Sequence, residues 1–315
     1  MVKIDKSRLV SWGKYFIGWP LSLISIIFIV KFLADRLPLI ESKLSNANYL
    51  FLIYGVLVFF LYYFIRSVLW KEILAAQGEK VPFFENTYRF AMSELKRFVP
   101  GNIWSLLSRA SLFSDLGVDK KIIGISLLME VQLIIVGCFL FSLISFPWLF
   151  RGNQEFGAVI LALLPASLVA AGIFFVVTSY LYRKKYDKNE TLMNSLYLPG
   201  LSIMVKFKLT AISFFDFLIF GVANYFIFAA VFGTSLQESI ILSSFFTFAL
   251  LVGFLSFLTP MGIGVREGVV TVGLLKSLTL VDASFFAIFS RVFLIISELV
   301  YLSILVLIRF LIKHK

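Results

Sequence analysis

Apolar runs of membrane-spanning length recur along this chain, and no other feature constrains its fold as strongly. A hydrocarbon core of about 30 Å takes roughly twenty apolar residues as a helix, and only helices or closed barrels satisfy their own backbone polar groups inside it. Runs at about 15–33, 50–69, 122–147, 157–182, 209–231, 236–258, 265–280 and 284–311 predict an all-α polytopic membrane protein of about eight transmembrane helices. The seventh run is short for a crossing. Composition agrees: 60% of the 315 residues are hydrophobic and 15% are charged, where a soluble domain carries about a quarter charged.

The first run follows "MVKIDKSRLVSWGK", is too long for a secretory h-region and has no A-x-A-like cleavage site after it, which predicts an uncleaved first helix. Trp12, Trp19, Trp70 and Trp148 fall near predicted span ends, the place of interfacial anchors. A long polar stretch covers 70–121 and a basic one 183–208, the latter with an amphipathic piece, Leu192 to Val205, expected to lie at the interface. No soluble domain is expected at either end. The chain reads as a single transmembrane domain over 1–315, with two weakly repeated halves at about 1–182 and 183–315.

Charge sets the expected orientation. With a cytoplasmic N-terminus and eight crossings, 23 Lys and Arg fall on the inner side and five on the outer: Lys31, Arg36, Lys43, Arg151 and Lys276. Arg291 lies within a span. The excess is the positive-inside asymmetry, so both termini are expected in the cytoplasm and the protein in the cytoplasmic (inner) membrane. The net charge of +11 then serves an anionic leaflet. A nucleic-acid partner is excluded, because no soluble segment is large enough to present a folded basic face. The single Cys138 and single His314 rule out a His/Cys metal site by counting, and no Asp/Glu cluster replaces it, so neither metal nor cofactor is expected.

Two apolar stretches interrupt themselves. In "RFVPGNIWSLLSRASLFSDLG" (97–117), Pro100 and Gly101 break the chain and Asn102 offers an N-cap for a helix over 102–113. Twelve residues cover about 18 Å, too little to cross. In "SFLTPMGIGVREGVVTVGLLKSL" (256–278), Pro260, Gly262 and Gly264 break a helix and a new one of about fourteen residues, roughly 21 Å, starts near Val265. Each new helix carries an arginine in its first two turns, Arg109 or Arg266. Broken helices at membrane depth occur where loose backbone groups line a wet cavity or are buried in protein. A half-helix N-terminus beside an arginine fork suits a phosphate or carboxylate. A plain turn with an interfacial arginine would leave the same letters.

Ionisable residues inside the spans add to this. Glu130, Asp216, Arg291 and Glu298 each cost at least about 2.5–3.5 kcal/mol at mid-membrane, so each should face protein or a cavity. Arg291 and Glu298, two turns apart on one helix face, are too distant to pair with each other. Glu267 with Arg291, and Glu130 with Arg266, are the pairings we expect, and a purely structural ion pair is as open as a transport role. Glu94 and Arg97 read as a surface pair, and Asp216 falls near the start of its span.

"FVPGNIWSLLSRASLFSDLGV…SLLMEV" and "FLTPMGIGVREGVVTVGLL" together resemble the lysylphosphatidylglycerol synthase transmembrane-region family, over about residues 15–310. Pro100-Gly101 with Trp104 and Arg109, Glu130, and Pro260 through Glu267 carry the likeness. The family includes the flippase half of the multiple peptide resistance factor. The resemblance implies about eight helices with re-entrant elements near 98–113 and 258–279, handling lipids with large or charged head groups. The soluble aminoacyl-transfer domain of the bifunctional members has no counterpart here, so aminoacyl-lipid synthesis is not expected and the lipid stays open, polyprenyl-linked sugars included.

The expected function is therefore a lipid translocase or lipid-transport component, with no catalytic residue. Pro100, Gly101, Asn102, Trp104, Arg109, Pro260, Gly262, Gly264, Arg266 and Glu267 are expected to hold an anionic or polyprenyl-linked head group, and Glu130, Arg291 and Glu298 to line or gate a polar path. Membrane lipids are the expected partners, with a membrane-associated glycosyltransferase or synthase beside them. The alternative is an integral membrane enzyme or enzyme subunit acting on polyprenyl-phosphate glycolipid intermediates, for which Asp115 and Asp119 are the nearest acidic pair.

Overall fold

The computed structural model describes residues 41, 43–98, 103–145, 154–185, 191, 195–233, 236–255, 265–274 and 278–313. The expected span at 15–33 lies outside them, as do Trp12, Trp19 and Trp148. The described residues are helical throughout, without a strand: α1 (Tyr49–Ala76), α2 (Phe83–Glu94), α3 (Ile103–Ser114), α4 (Lys120–Ser142), α5 (Gln154–Lys185), α6 (Ile203–Phe232), α7 (Leu236–Leu255), α8 (Val265–Leu274) and α9 (Leu280–Lys313). Four of them, α1, α4, α6 and α9, are long and apolar enough to cross a membrane. This is an all-α polytopic membrane protein.

Local chemistry sets the helix ends. The Asn48 side chain accepts from the amides of Leu50 (3.1 Å) and Phe51 (3.3 Å) at the start of α1, and Asp119 Oδ1 accepts from the Lys121 amide at 2.6 Å at the start of α4. Gly233, with φ of 62°, closes α6 in the left-handed conformation that favours glycine.

Two sets of contacts identify the ends of the bundle. At one end Lys43 pairs with Asp282 at 3.0 Å and the Asn48 amide donates to the Ala230 carbonyl at 2.9 Å. At the other, Lys208 pairs with Glu72 at 2.6 Å and Arg309 with Glu85 at 3.6 Å. So α1 and α9 run one way between the ends and α6 the other. Helices α1 and α6 make the most extensive contact in the bundle, joined by Phe59, Phe220, Ala223 and Ile227 in one cluster.

Helices α2 and α3, and helices α7 and α8, pack as two antiparallel pairs that stop within the bundle. Helix α2 starts at the Glu85 end and α3 returns beside it, with Arg89 Nη1 donating to the Leu112 carbonyl at 2.6 Å. Each arm has twelve residues, about 18 Å. The second hairpin enters from the Lys43 end. Helix α7 runs back along α6 as far as the cluster that Leu251 and Leu255 share with Phe217, the middle of α6. Helix α8 returns along α7, with Val265 and Val269 packed on Phe245, Phe248 and Val252. The crossings expected at 236–258 and 265–280 are thus two arms of one hairpin, and α8 is ten residues long rather than fourteen.

Other expectations change for reasons of packing. Trp70 is fully buried against Phe113 and is no interfacial anchor. The 195–201 stretch of the amphipathic piece is tucked in, not laid on the surface. Leu198 is fully buried and its amide donates to Gln132 Oε1 at 2.8 Å, while Gln132 Nε2 donates to the Leu196 carbonyl at 2.9 Å. Asp216 sits in mid-helix because α6 begins six residues earlier than its hydropathy suggests.

Small residues let these helices approach closely. A Cβ on Gly137 of α4 would lie 2.9 Å from the Ser213 carbonyl oxygen and 2.8 Å from the Phe217 ring on α6. Backbone cannot yield there as a side chain can. Gly137→Val is expected to cost about 1–3 kcal/mol, read as a lower unfolding temperature in detergent; an unchanged melt would mean that α4 and α6 are not in this contact.

Candidate functional site

The two hairpins bring their inner ends to one cavity of about 170 Å³ in the middle of the bundle. Arginines from four helices reach its wall: Arg66 of α1, Arg109 of α3, Arg266 of α8 and Arg291 of α9. Among the described residues Glu94 of α2 and Glu130 of α4 are the carboxylates that line it, so four arginines face two glutamates there. Apolar side chains such as Leu250, Phe254 and Leu294 complete the lining. Charges in so dry a setting are costly unless paired, and the partners among the described residues separate the structural arginines from Arg266.

Arg109 is fully committed. One Nη donates to Glu130 and the other to Glu94, and Nε donates to Ser93 Oγ at 3.1 Å. Its guanidinium lies over the rings of Phe90 (4.1 Å) and Trp70 (4.9 Å), and the side chain is 1% exposed. Arg109 therefore ties both arms of the first hairpin to α4. Glu130 pairs with Arg109 and, at 3.6 Å, with Arg66; the expected pairing with Arg266 is not made. Arg66 Nη1 donates to Tyr62 Oη at 3.0 Å, one turn earlier on α1.

Arg291 pairs with Glu267, as the sequence suggests. Because Glu267 follows Arg266 directly on α8, the pair turns Glu267 toward α9 and leaves Arg266 on the cavity wall. Arg266 stacks over Phe246 (4.7 Å) and Phe220 (5.7 Å) and is buried. Its Nη2 has no hydrogen-bond partner among the described residues. A buried guanidinium nitrogen without an acceptor leaves its desolvation uncompensated.

Of the expected site residues, the structure brings Arg109, Glu130, Arg266 and Arg291 to the wall of this cavity, and Glu267 stands behind the wall on Arg291. Trp104, half-buried on α3, is not on its wall, and Glu298 points elsewhere, accepting from Tyr63 Oη at 3.3 Å beside a separate small hollow. Pro100, Gly101, Asn102, Pro260, Gly262 and Gly264 lie outside the described residues. Arg66 and Glu94 were missed. Glu94, which reads as a surface residue, is 6% exposed and holds Arg109; Arg66 passes for a charge at a span end, although "FFLYYFIRSVLW" continues apolar past it. Asp119, one of the acidic pair an enzyme would use, is spent on capping α4.

No curated protein matches the chain significantly. The sequence pattern described as the lysylphosphatidylglycerol synthase TM region matches residues 15–300, which takes in α1 to α8, the first two thirds of α9 and all four wall arginines. A match over nearly the whole chain, on a fold of membrane helices around a buried basic cavity, shows that this protein belongs to the lysylphosphatidylglycerol synthase transmembrane-region family and has a membrane lipid-related function.

Proposed function

We propose that the protein translocates an anionic lipid by holding its phosphate head group in the cavity between the two hairpins. The observation that carries this reading is Arg266, a buried arginine with an unsatisfied Nη2 on a wall of four arginines and two glutamates. A phosphate oxygen is the acceptor such a fork lacks. Size supports a head group rather than a whole lipid. A volume of 170 Å³ falls below the roughly 300–1,000 Å³ of sites that engulf a drug-sized ligand, so the chains would stay outside. Hairpins from opposite ends that flank a mid-depth site are the arrangement alternating access uses.

In this reading Arg266 binds, Arg109 with Glu94 and Glu130 shapes the wall, and Arg291 with Glu267 fixes the orientation of Arg266. Taking Arg66, Arg109 and Arg266 out of the charge count, since they lie inside the bundle, leaves twenty basic residues against five. The Glu85 end then faces the cytoplasm of a cell whose inner membrane holds the protein. A membrane-bound synthase or glycosyltransferase would supply the lipid.

The test is mass spectrometry of lipids that co-purify with the wild type and with Arg266→Gln. Arg266 makes no ion pair among the described residues, so the variant is expected to fold and to retain about tenfold less anionic lipid, the equivalent of one charge-assisted hydrogen bond. Equal lipid on both would sink the reading.

A further inference from the structure

A second hollow lies on the seam that leads to the cavity. Helices α3 and α4 are antiparallel neighbours, and they face the cavity with Ser105, Leu106 and Arg109 on one side and Glu130, Val131 and Ile134 on the other. One turn nearer the Glu85 end, the same two helices part to form a groove of about 400 Å³. Ser111 and Ser114 of α3 and Lys120 of α4 line its outer part, and Gly124 and Leu127 its inner part. Ala110 in the groove adjoins Arg109, and Leu127 lies one turn from Glu130, so the Arg109–Glu130 ion pair stands between the groove residues and the cavity residues of the two helices.

Resting on the head-group reading of the cavity, the geometry points to this groove as a second binding site, the entry subsite where the phosphate of an anionic phospholipid waits before it reaches Arg266. Lys120 is exposed and, with the two serine hydroxyls, offers a phosphate a cation and two donors. The inner part changes to apolar, and Gly124 supplies no side chain to obstruct passage. The ion pair is the barrier: a phosphate beside Ala110 competes with Glu130 for Arg109, while Arg66 at 3.6 Å keeps Glu130 compensated during the exchange. Asp115 on the rim opposes an incoming anion, so Asp115→Asn is expected to increase, and Lys120→Glu to decrease, the rate at low lipid concentration.

The test uses the full chain in phosphatidylcholine vesicles that contain fluorescent phosphatidylglycerol, with dithionite quenching as the readout of transbilayer movement. Cys138 is fully buried, and Cys138→Ala removes it from the labelling. Gly124→Cys narrows the passage and is expected to move the lipid more slowly than its Cys138→Ala parent; attaching benzyl methanethiosulfonate should slow it about tenfold further, and dithiothreitol should return it to its own unlabelled rate. The same label on Leu143→Cys, an exposed position at the far end of α4, should change nothing. Full-rate movement by labelled Gly124→Cys overturns the groove and leaves the cavity standing. A Cys138→Ala parent with Gly124 intact that moves no phosphatidylglycerol overturns both.

Discussion

Arg109→Ala is expected to cost about 3–5 kcal/mol, the penalty of breaking a buried ion pair from one side, and to leave little folded protein in detergent. The loss is not of one contact. Arg109 uses all three of its donor nitrogens, on Glu130, Glu94 and Ser93, and its planar face is held between Phe90 and Trp70. Alanine leaves Glu94 without this cation, leaves Glu130 only Arg66 at 3.6 Å, and opens a void between two aromatic rings. Arg109→Lys is expected to recover little, since one ammonium cannot span two carboxylates as a fork does. Pairing Arg109→Met with Glu94→Gln should recover more, because the stranded charge is then gone. Thermal unfolding followed by size-exclusion chromatography measures each. A variant that melts within 1 kcal/mol of wild type and yet loses its lipid would make Arg109 a ligand and not a clamp.

The contrast with Arg266 follows from partners, which a single sequence does not display. Both arginines open short helices after Pro/Gly breaks, and from the letters they are equivalent. What distinguishes them is folded context. Glu94 and Glu130 lie 15 and 21 residues from Arg109 in sequence and reach it only through the hairpin turn and the α3–α4 connection. Among the described residues no carboxylate pairs with Arg266, and its neighbour Glu267 turns to Arg291 on α9.

The fold was legible where hydropathy decides it. The runs at 50–69, 157–182, 209–231 and 284–311 are helices, and the run at 122–147 is helical through its described residues to 145; the short helices expected after the two Pro/Gly breaks are α3 and α8. Depth was not legible. Helix α7 has the apolar content of a crossing, since a re-entrant arm sits in the same hydrocarbon and must be as greasy as a span. Its course shows only in its contacts, Leu255 with the middle of α6 and Phe246 beneath Arg266. The same limit hid two wall residues. Charges within uninterrupted apolar sequence, Glu130 and Arg291, stand out as expensive. Arg66 and Glu94 do not, because near the ends of apolar stretches a charge normally meets water, and here a hairpin covers it.

Reversing the Glu267–Arg291 pair separates structure from binding. Arg291→Glu alone sets two carboxylates against each other on α8 and α9 and removes one of the four wall arginines; it is expected to cost about 3–5 kcal/mol and to abolish retention of anionic lipid. Adding Glu267→Arg restores an opposite-charge pair between the same two helices. Contacting residues couple by about 0.5–3 kcal/mol, so the double variant should recover a large part of the stability. It should not recover the lipid, because position 291 lines the cavity and position 267 does not. The swap moves a negative charge onto the wall beside Arg266 and carries the positive one behind it. Unfolding temperature and co-purified lipid, measured on the same preparations, should therefore part company. If both return together, the pair matters only as a brace, and Arg266 must bind its guest without help from the field of Arg291.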